Sequence, residues 1–275
     1  MTKLKACLAG KCLSLAKQIR REIVSMHAVS RNSHVGSSLS VADILVALYF
    51  CVMKTNANNC GDKKRDRLLL SKGHASSALY AVLAKRGFFP KKLLSDYCVD
   101  RGKLPGHATI NCVPGVEVST GSLGHGLSIG AGLALAAKHD KNKSRVFVIL
   151  SDGECQEGSV WEAAMFASQH KLDNLISVID YNKLQGFGKT KDVVGLEPFG
   201  KKWAAFGWQV KEVDGHDMAK IIKILESVPF VVKKPSVIIA HTVKGKGVSF
   251  MEDSLAWHYK SPGPDELKIA LRELA

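Results

Sequence analysis

Five short apolar runs, each closing on a polar or glycine-rich turn, constrain this chain more than any other feature. They are RLLLS (67–71), RVFVILS (145–151), NLISVID (174–180), GWQVKEV (207–213) and PSVIIAHT (235–242). VFVIL and LISVI are unbroken, as strands covered on both faces require. Segments with helical periodicity lie between them, at about 40–53, 74–86, 124–139, 157–171 and 216–227. Strands alternating with helices predict an α/β fold, a doubly wound, mainly parallel sheet with helices on both faces. No repeat, low-complexity linker or internal boundary divides the chain, so residues 1–275 are expected to form a single domain.

Several classes are set aside by what surrounds these runs. At the N-terminus Leu4, Leu8, Leu15, Ile19 and Ile23 follow helical spacing, while Lys11, Lys17 and Arg20 interrupt the apolar stretch. That pattern predicts an amphipathic helix rather than an export signal. The longest apolar run, ILVALYFCVM at 44–53, is too short to span a bilayer, so no membrane partner is expected. Seven scattered cysteines without a C-x-x-C pair argue against a zinc site or disulfide framework and for a reduced, cytoplasmic setting. The net charge of +14 comes from lysines spread along the chain, with no zinc-finger, basic-zipper or RNA-binding aromatic signature. Nucleic acid therefore ranks below an anionic substrate or an acidic protein partner.

In open parallel sheets ligands bind beyond the carboxyl ends of the strands. The turns there read KGHASS, DGECQEG, YNKLQGFG and VKGKG. Asp152 alone could be an ordinary helix cap. Asn182 stands about thirty positions on, also just after an apolar strand, and adjacent strands would bring the two together. A carboxylate, an amide oxygen and a backbone carbonyl between 183 and 186 make a partial hard-cation site suited to Mg²⁺, whose remaining ligands a diphosphate would supply. Gly153 lets a phosphate approach the backbone at a helix start. The VKGKG lysines read as an ordinary turn, with phosphate binding as the sharper alternative.

The stretch SDGECQEGSVWEAAMFASQHKLDNLISVIDYNKLQGFG resembles the thiamine-diphosphate motif of transketolases, with Ser151 in place of the usual first glycine. The resemblance continues through SRNSHVGSSLS, LSKGHASSALYAVLAKRG, LPGHATINCVPGVEVSTGSLGHGLSIGAGLALA and HTVKGKGVSFMEDSLAWHYKSP. It implies a diphosphate-binding domain that holds thiamine diphosphate through Mg²⁺, for which Ca²⁺ or Mn²⁺ can substitute. Asp152, Asn182 and the carbonyl of Leu184 would be the metal ligands. Gly153, Glu154, Gly121, Leu123, His74 and His258 would contact the cofactor. His34, His74, His107 and His258 would serve catalysis beside the sugar, and Glu157 and Glu162 would lie at a dimer interface linking two cofactors. His125 is left open, and His27, His139, His170 and His216 are assigned nothing.

The resemblance also implies what this chain lacks. In the family a second, pyrimidine-binding domain supplies the activating glutamate, an aromatic platform and phosphate-reading arginines. The sequence ends at DELKIALRELA, without such a domain. The expectation is the N-terminal subunit of a split transketolase, moving a two-carbon ketol unit between sugar phosphates in the pentose phosphate pathway. It would act only with a C-terminal subunit, as a heterotetramer. Half of another thiamine-diphosphate enzyme, of the deoxyxylulose-phosphate synthase or 2-oxoacid dehydrogenase kind, shares the metal motif. A catalytically silent binding relative is the non-enzymatic alternative. A dinucleotide-dependent oxidoreductase fits poorly: TGSLGHGLSIG follows no good strand, and no acidic strand end comes about twenty residues later.

Overall fold

The computed structural model describes residues 3–275, with side chains from Leu8 onward. All five apolar runs are strands: β1 (Arg67–Leu70), β2 (Val146–Ser151), β3 (Leu175–Tyr181), β6 (Gln209–Asp214) and β7 (Ser236–His241). A small antiparallel hairpin, β4 (Leu184–Gln185) with β5 (Gly188–Lys189), follows β3. The main sheet runs β1-β2-β3-β7-β6, and every pairing in it is parallel. The expected fold class is the one observed.

Side chains alternate between the two faces of each strand, so the sheet serves two separate cores. Leu68, Leu70, Phe147, Ile149, Ile176, Val178 and Ile238 pack under α1 (Lys3–Ser30), α2 (Val35–Ala47), α3 (Ser76–Lys85), and later α8 (Met218–Glu226) and α9 (Pro264–Glu273). Leu69, Val146, Val148, Leu150, Leu175, Ile179 and Val237 pack under α4 (Gly126–His139), α5 (Gly158–Gln169) and α7 (Phe199–Ala205). The short α6 (Thr190–Val193) trails the hairpin. Helix α4 lies close against β2: a Cβ on Gly130 would stand 2.5 Å from Val148 Cγ2. Without side-chain bulk there, the helix can settle onto the strand.

Two sequence expectations need correction. In α1 the core stripe is Cys12, Ala16, Ile19 and Ile23, whereas Leu8 is 38% exposed; Leu4 lies outside the residues whose side chains are described. The apolar run at 44–53 belongs to a longer helix, because α2 continues through a wider π turn, Leu48–Val52. The whole stretch, Val35–Val52, has mean hydropathy 1.9 and is by length and composition apolar enough to cross a membrane, yet 83% of it is buried in the protein. Ser37, Ser38, Ser40 and Asp43 hid it from a reading of continuous apolarity; all four are buried with α2.

Candidate functional site

The register of the sheet builds the site. Ser151 pairs with Asp180 across β2 and β3, so Asp152 and Asn182 leave adjacent strands close together. A cavity of about 280 Å³ opens above them. Its lining includes His34, His74, His107, Gly121, Leu123, Asp152, Gly153, Asn182, Leu184, Lys244 and His258. A larger hollow of about 650 Å³ lies by the opposite ends of β1 and β2 and is lined by Lys54, Lys64, Lys143 and Arg145; it contains no histidine.

Asp152 is 1% exposed and Asn182 is 4% exposed. Asp152 Oδ1 accepts from the Gly153 amide at 2.7 Å, and Oδ2 from the Lys183 amide at 2.6 Å and Thr190 Oγ1 at 3.2 Å. Asn182 Oδ1 accepts from the Leu184 amide at 3.1 Å. Burial, with some repulsion from Asp180, pushes the Asp152 carboxyl up to about 6, against the pull of these amides. A buried carboxylate of this kind is relieved by a cation. Among the described residues no three His, Cys, Asp or Glu side chains converge as metal ligands. The mixture of carboxylate, amide and backbone carbonyl instead suits a hard divalent ion that keeps positions for phosphate oxygens. The donor set therefore fits the expected group.

Facing this oxygen set are four imidazoles. His34 lies with its ring centroid 4.8 Å from His258, 5.3 Å from His74 and 6.0 Å from His107. His34 adopts a left-handed backbone (φ 78°) at the start of α2, and its amide donates to the His258 carbonyl at 2.9 Å. Burial lowers His34 to about 4 and His258 to about 3, with further repulsion from neighbouring histidines and lysines. His74 is held well below its ordinary value for the same reasons. These three rings are thus neutral at physiological pH, each with one N–H donor and one acceptor nitrogen.

Gly121 and Leu123 line the same cavity. Gly121 has φ 144°, a conformation that favours glycine. The turn after β1 is pressed against this loop: a Cβ on Gly73 would lie 2.6 Å from Thr120 Oγ1 and 2.8 Å from the Gly121 amide. The glycine of KGHASS is what lets His74 approach.

The acidic residues after β2 and on α5 have different surroundings. Glu154 is fully buried beneath the site, where its carboxylate accepts from Ser71 Oγ, the Gly124 amide at 3.0 Å and the Ser151 amide at 3.1 Å. It lines the cavity and ties three turns together. Glu157 is exposed at the start of α5, makes no side-chain cap and does not line the cavity; Glu162 is exposed on α5. His125 is exposed and approaches only its neighbour's carbonyl, Leu123 O, at 3.1 Å.

Two lysines add to the site: Lys244, for which the sequence left an ordinary turn and phosphate binding as alternatives, and Lys72, which the sequence reading does not single out. Lys244, in VKGKG, is 1% exposed. Its Nζ donates to the Leu184 carbonyl at 3.2 Å and to His258 Nδ1 at 2.8 Å, which leaves His258 its proton on Nε2. Burial and the charge of Lys72 pull Lys244 down to about 8. Lys72, directly before Gly73, forms a fully buried ion pair with Asp180. Lysine is rarely buried without an anion to meet, and Gly245, directly after Lys244, was the available signal.

Comparison with known proteins agrees with this geometry. Residues 13–274 match the family model described as transketolase, thiamine diphosphate binding domain. A subunit of an apulose-4-phosphate transketolase from Actinobacillus succinogenes is 46% identical over 94% of this chain and 94% of its own length. A 6-deoxy-6-sulfo-D-fructose transketolase subunit of a Clostridium species is 45% identical over 88% of each chain. The crystal structure of transketolase from Campylobacter jejuni superposes with a TM-score of 0.89 at 32% identity, over 96% of this chain. This chain spans only 43% of that longer protein.

Proposed function

Because the chain belongs to the transketolase family, as its thiamine diphosphate binding domain, we propose that it is the diphosphate-binding half of a split transketolase. A separate chain would complete its active site. The observation that carries the reading is the convergence of Asp152, Asn182 and Lys244 with His34, His74, His107 and His258 around one cavity. Relatives of matching length are themselves named as subunits of transketolases, which supports a second chain. Apolar side chains left exposed on α4 and α5, among them Ile129, Met165 and Phe166, supply surface for such contacts. A two-fold assembly of two such chains with two partners, in a reducing cytoplasm, fits this reading.

Asp152 and Asn182 through side-chain oxygens, and Leu184 through its carbonyl, would hold Mg²⁺ or a substitute Ca²⁺ or Mn²⁺. Lys244 would then meet the diphosphate with a full charge. Gly121 and Leu123 would support the cofactor through their backbone. Bound thiamine diphosphate would supply the carbon that carries the two-carbon unit from a ketose phosphate to an aldose. The protein's part is positioning and proton handling. His258 can donate from Nε2, and the neutral rings of His34 and His74 can each accept or give a proton at a sugar hydroxyl without first shedding a charge. His107, on the rim, would meet the part of the sugar nearest solvent. The relatives' names point to apulose-4-phosphate and 6-deoxy-6-sulfo-D-fructose, so the donor need not belong to the pentose phosphate pathway.

Calorimetric titration of the chain with thiamine diphosphate and Mg²⁺ tests the site. Asp152→Ala or Asn182→Ala should abolish Mg²⁺-dependent binding, and wild-type affinity in either variant would refute the metal assignment. A coupled ketol-transfer assay with a donor panel that includes pyruvate tests the chemistry. Turnover should appear only after the partner chain is added. A preference for pyruvate over ketose phosphates would replace this reading with another thiamine-diphosphate enzyme.

A further inference from the structure

We propose that His216, outside the cavity, is a positioning residue that holds the Lys244 ammonium in the diphosphate site. The proposal rests on the cofactor reading above and extends it to a residue that would touch neither cofactor nor metal.

His216 sits in the turn between β6 and α8. Its Nε2 lies 2.8 Å from the Val243 backbone nitrogen. An amide N–H can only donate, so Nε2 must be the acceptor and the ring proton must sit on Nδ1. Nδ1 in turn donates to Asp43 Oδ2 at 2.7 Å. One neutral tautomer satisfies both contacts.

The far end of this relay is rigid. Asp43 is 1% exposed on α2, and Arg20 of α1 grips both its oxygens, Nη1 to Oδ1 at 3.1 Å and Nη2 to Oδ2 at 2.5 Å. Arg20 Nε also donates to the Leu39 carbonyl at 3.2 Å. The imidazole thus transmits the fixed position of two core helices to one backbone amide in the loop after β7.

That amide immediately precedes Lys244. On the other side, the Gly245 amide donates to the Gly36 carbonyl at 2.9 Å. The lysine is pinned at both flanks, and its side chain is forced inward. A lysine on a loop free to move gains hydration by swinging outward, because burying an ammonium with only two acceptors is costly. Placing it beforehand spares an incoming diphosphate that rearrangement.

Losing one such hydrogen bond should weaken thiamine diphosphate binding about tenfold in His216→Ala. Gln at 216 can offer its carbonyl oxygen to Val243 and its amide to Asp43, so His216→Gln should recover most of the loss. Two measurements on the full chain decide it: titration with thiamine diphosphate and Mg²⁺, and hydrogen–deuterium exchange without cofactor. In His216→Ala, exchange should rise in a peptide covering residues 243–247 and stay near wild type in the strands. Wild-type affinity in His216→Ala would overturn the proposal. So would faster exchange throughout the sheet, or no recovery with Gln, since either would mark His216 as a general stabiliser. If wild-type chain takes up no thiamine diphosphate, the cofactor reading fails, while the cofactor-free exchange still decides whether His216 holds the loop.

Discussion

The Lys72–Asp180 pair lies at the floor of the site with both side chains fully buried. Its disruption by Lys72→Met offers a quantitative test of how the site is supported. Methionine replaces most of the lysine stem but not its charge, so volume changes little. Asp180 would keep two hydroxyl donors, Ser40 Oγ at 2.6 Å and Thr242 Oγ1, and lose the cation in direct contact with it. Leaving a buried charge unpaired costs about 3–5 kcal/mol. With an unfolding entropy of roughly 2.1 cal/mol/K per residue over this length, a loss of about 4 kcal/mol lowers Tm by about 7 °C. Most of that cost is the stranded carboxylate, so adding Asp180→Asn should bring stability back to within about 1–2 kcal/mol of wild type.

The pH dependence gives an independent check. Burial opposes the Asp180 charge, but Lys72 and the two hydroxyls outweigh it and hold the carboxyl below its ordinary range. In the wild type this stability is present above the unfolded carboxyl value and lost as pH falls through the folded one. Without Lys72 the carboxyl should rise and take up a proton more readily, so the deficit should shrink toward acid pH. Urea and thermal melts across pH 4–8 would measure this. A single variant melting within about 2 °C of wild type, or a double variant less stable than the single, would refute the reasoning.

His27 is fully buried, with Nδ1 3.0 Å from the Asn32 carbonyl and Nε2 2.9 Å from Ser77 Oγ, and burial lowers it to about 4 from 6.5. The unfolded chain binds that proton more readily, so stability should fall by about 3 kcal/mol as pH drops from above 6.5 to 4, then level off; urea midpoints in His27→Gln should lose this part of the slope. Gly73→Ala would drive a methyl into Thr120 and the Gly121 amide and should cost about 1–3 kcal/mol. Melting would report the loss, and wild-type Tm would show that the two loops are not in close contact.

The fold class was largely legible. VFVIL and LISVI carry a two-sided apolar pattern with one structural solution, and the alternation with helices made the sheet parallel. The meeting of Asp152 and Asn182 was legible for a related reason: strand ends sit at one edge of a parallel sheet, so both could be placed there from position alone. Val35–Val52 was not recognised as one helix because buried serines and Asp43 broke its apolar pattern. The three donors that Glu154 meets within its own chain were not legible, because a carboxylate in a turn motif reads the same with or without them.

The sequence by itself determined the layered architecture, the edge at which the site forms and the residue types gathered there, since strand and helix periodicities act over a few positions. Only the tertiary structure decided that Lys244 turns inward, that Lys72 answers Asp180, and that His216 reaches Asp43. Those pairings join residues 14 to 173 positions apart. Their partners are selected by burial, which makes each unmet donor or charge expensive, and burial is a property of the packed layers rather than of any local stretch.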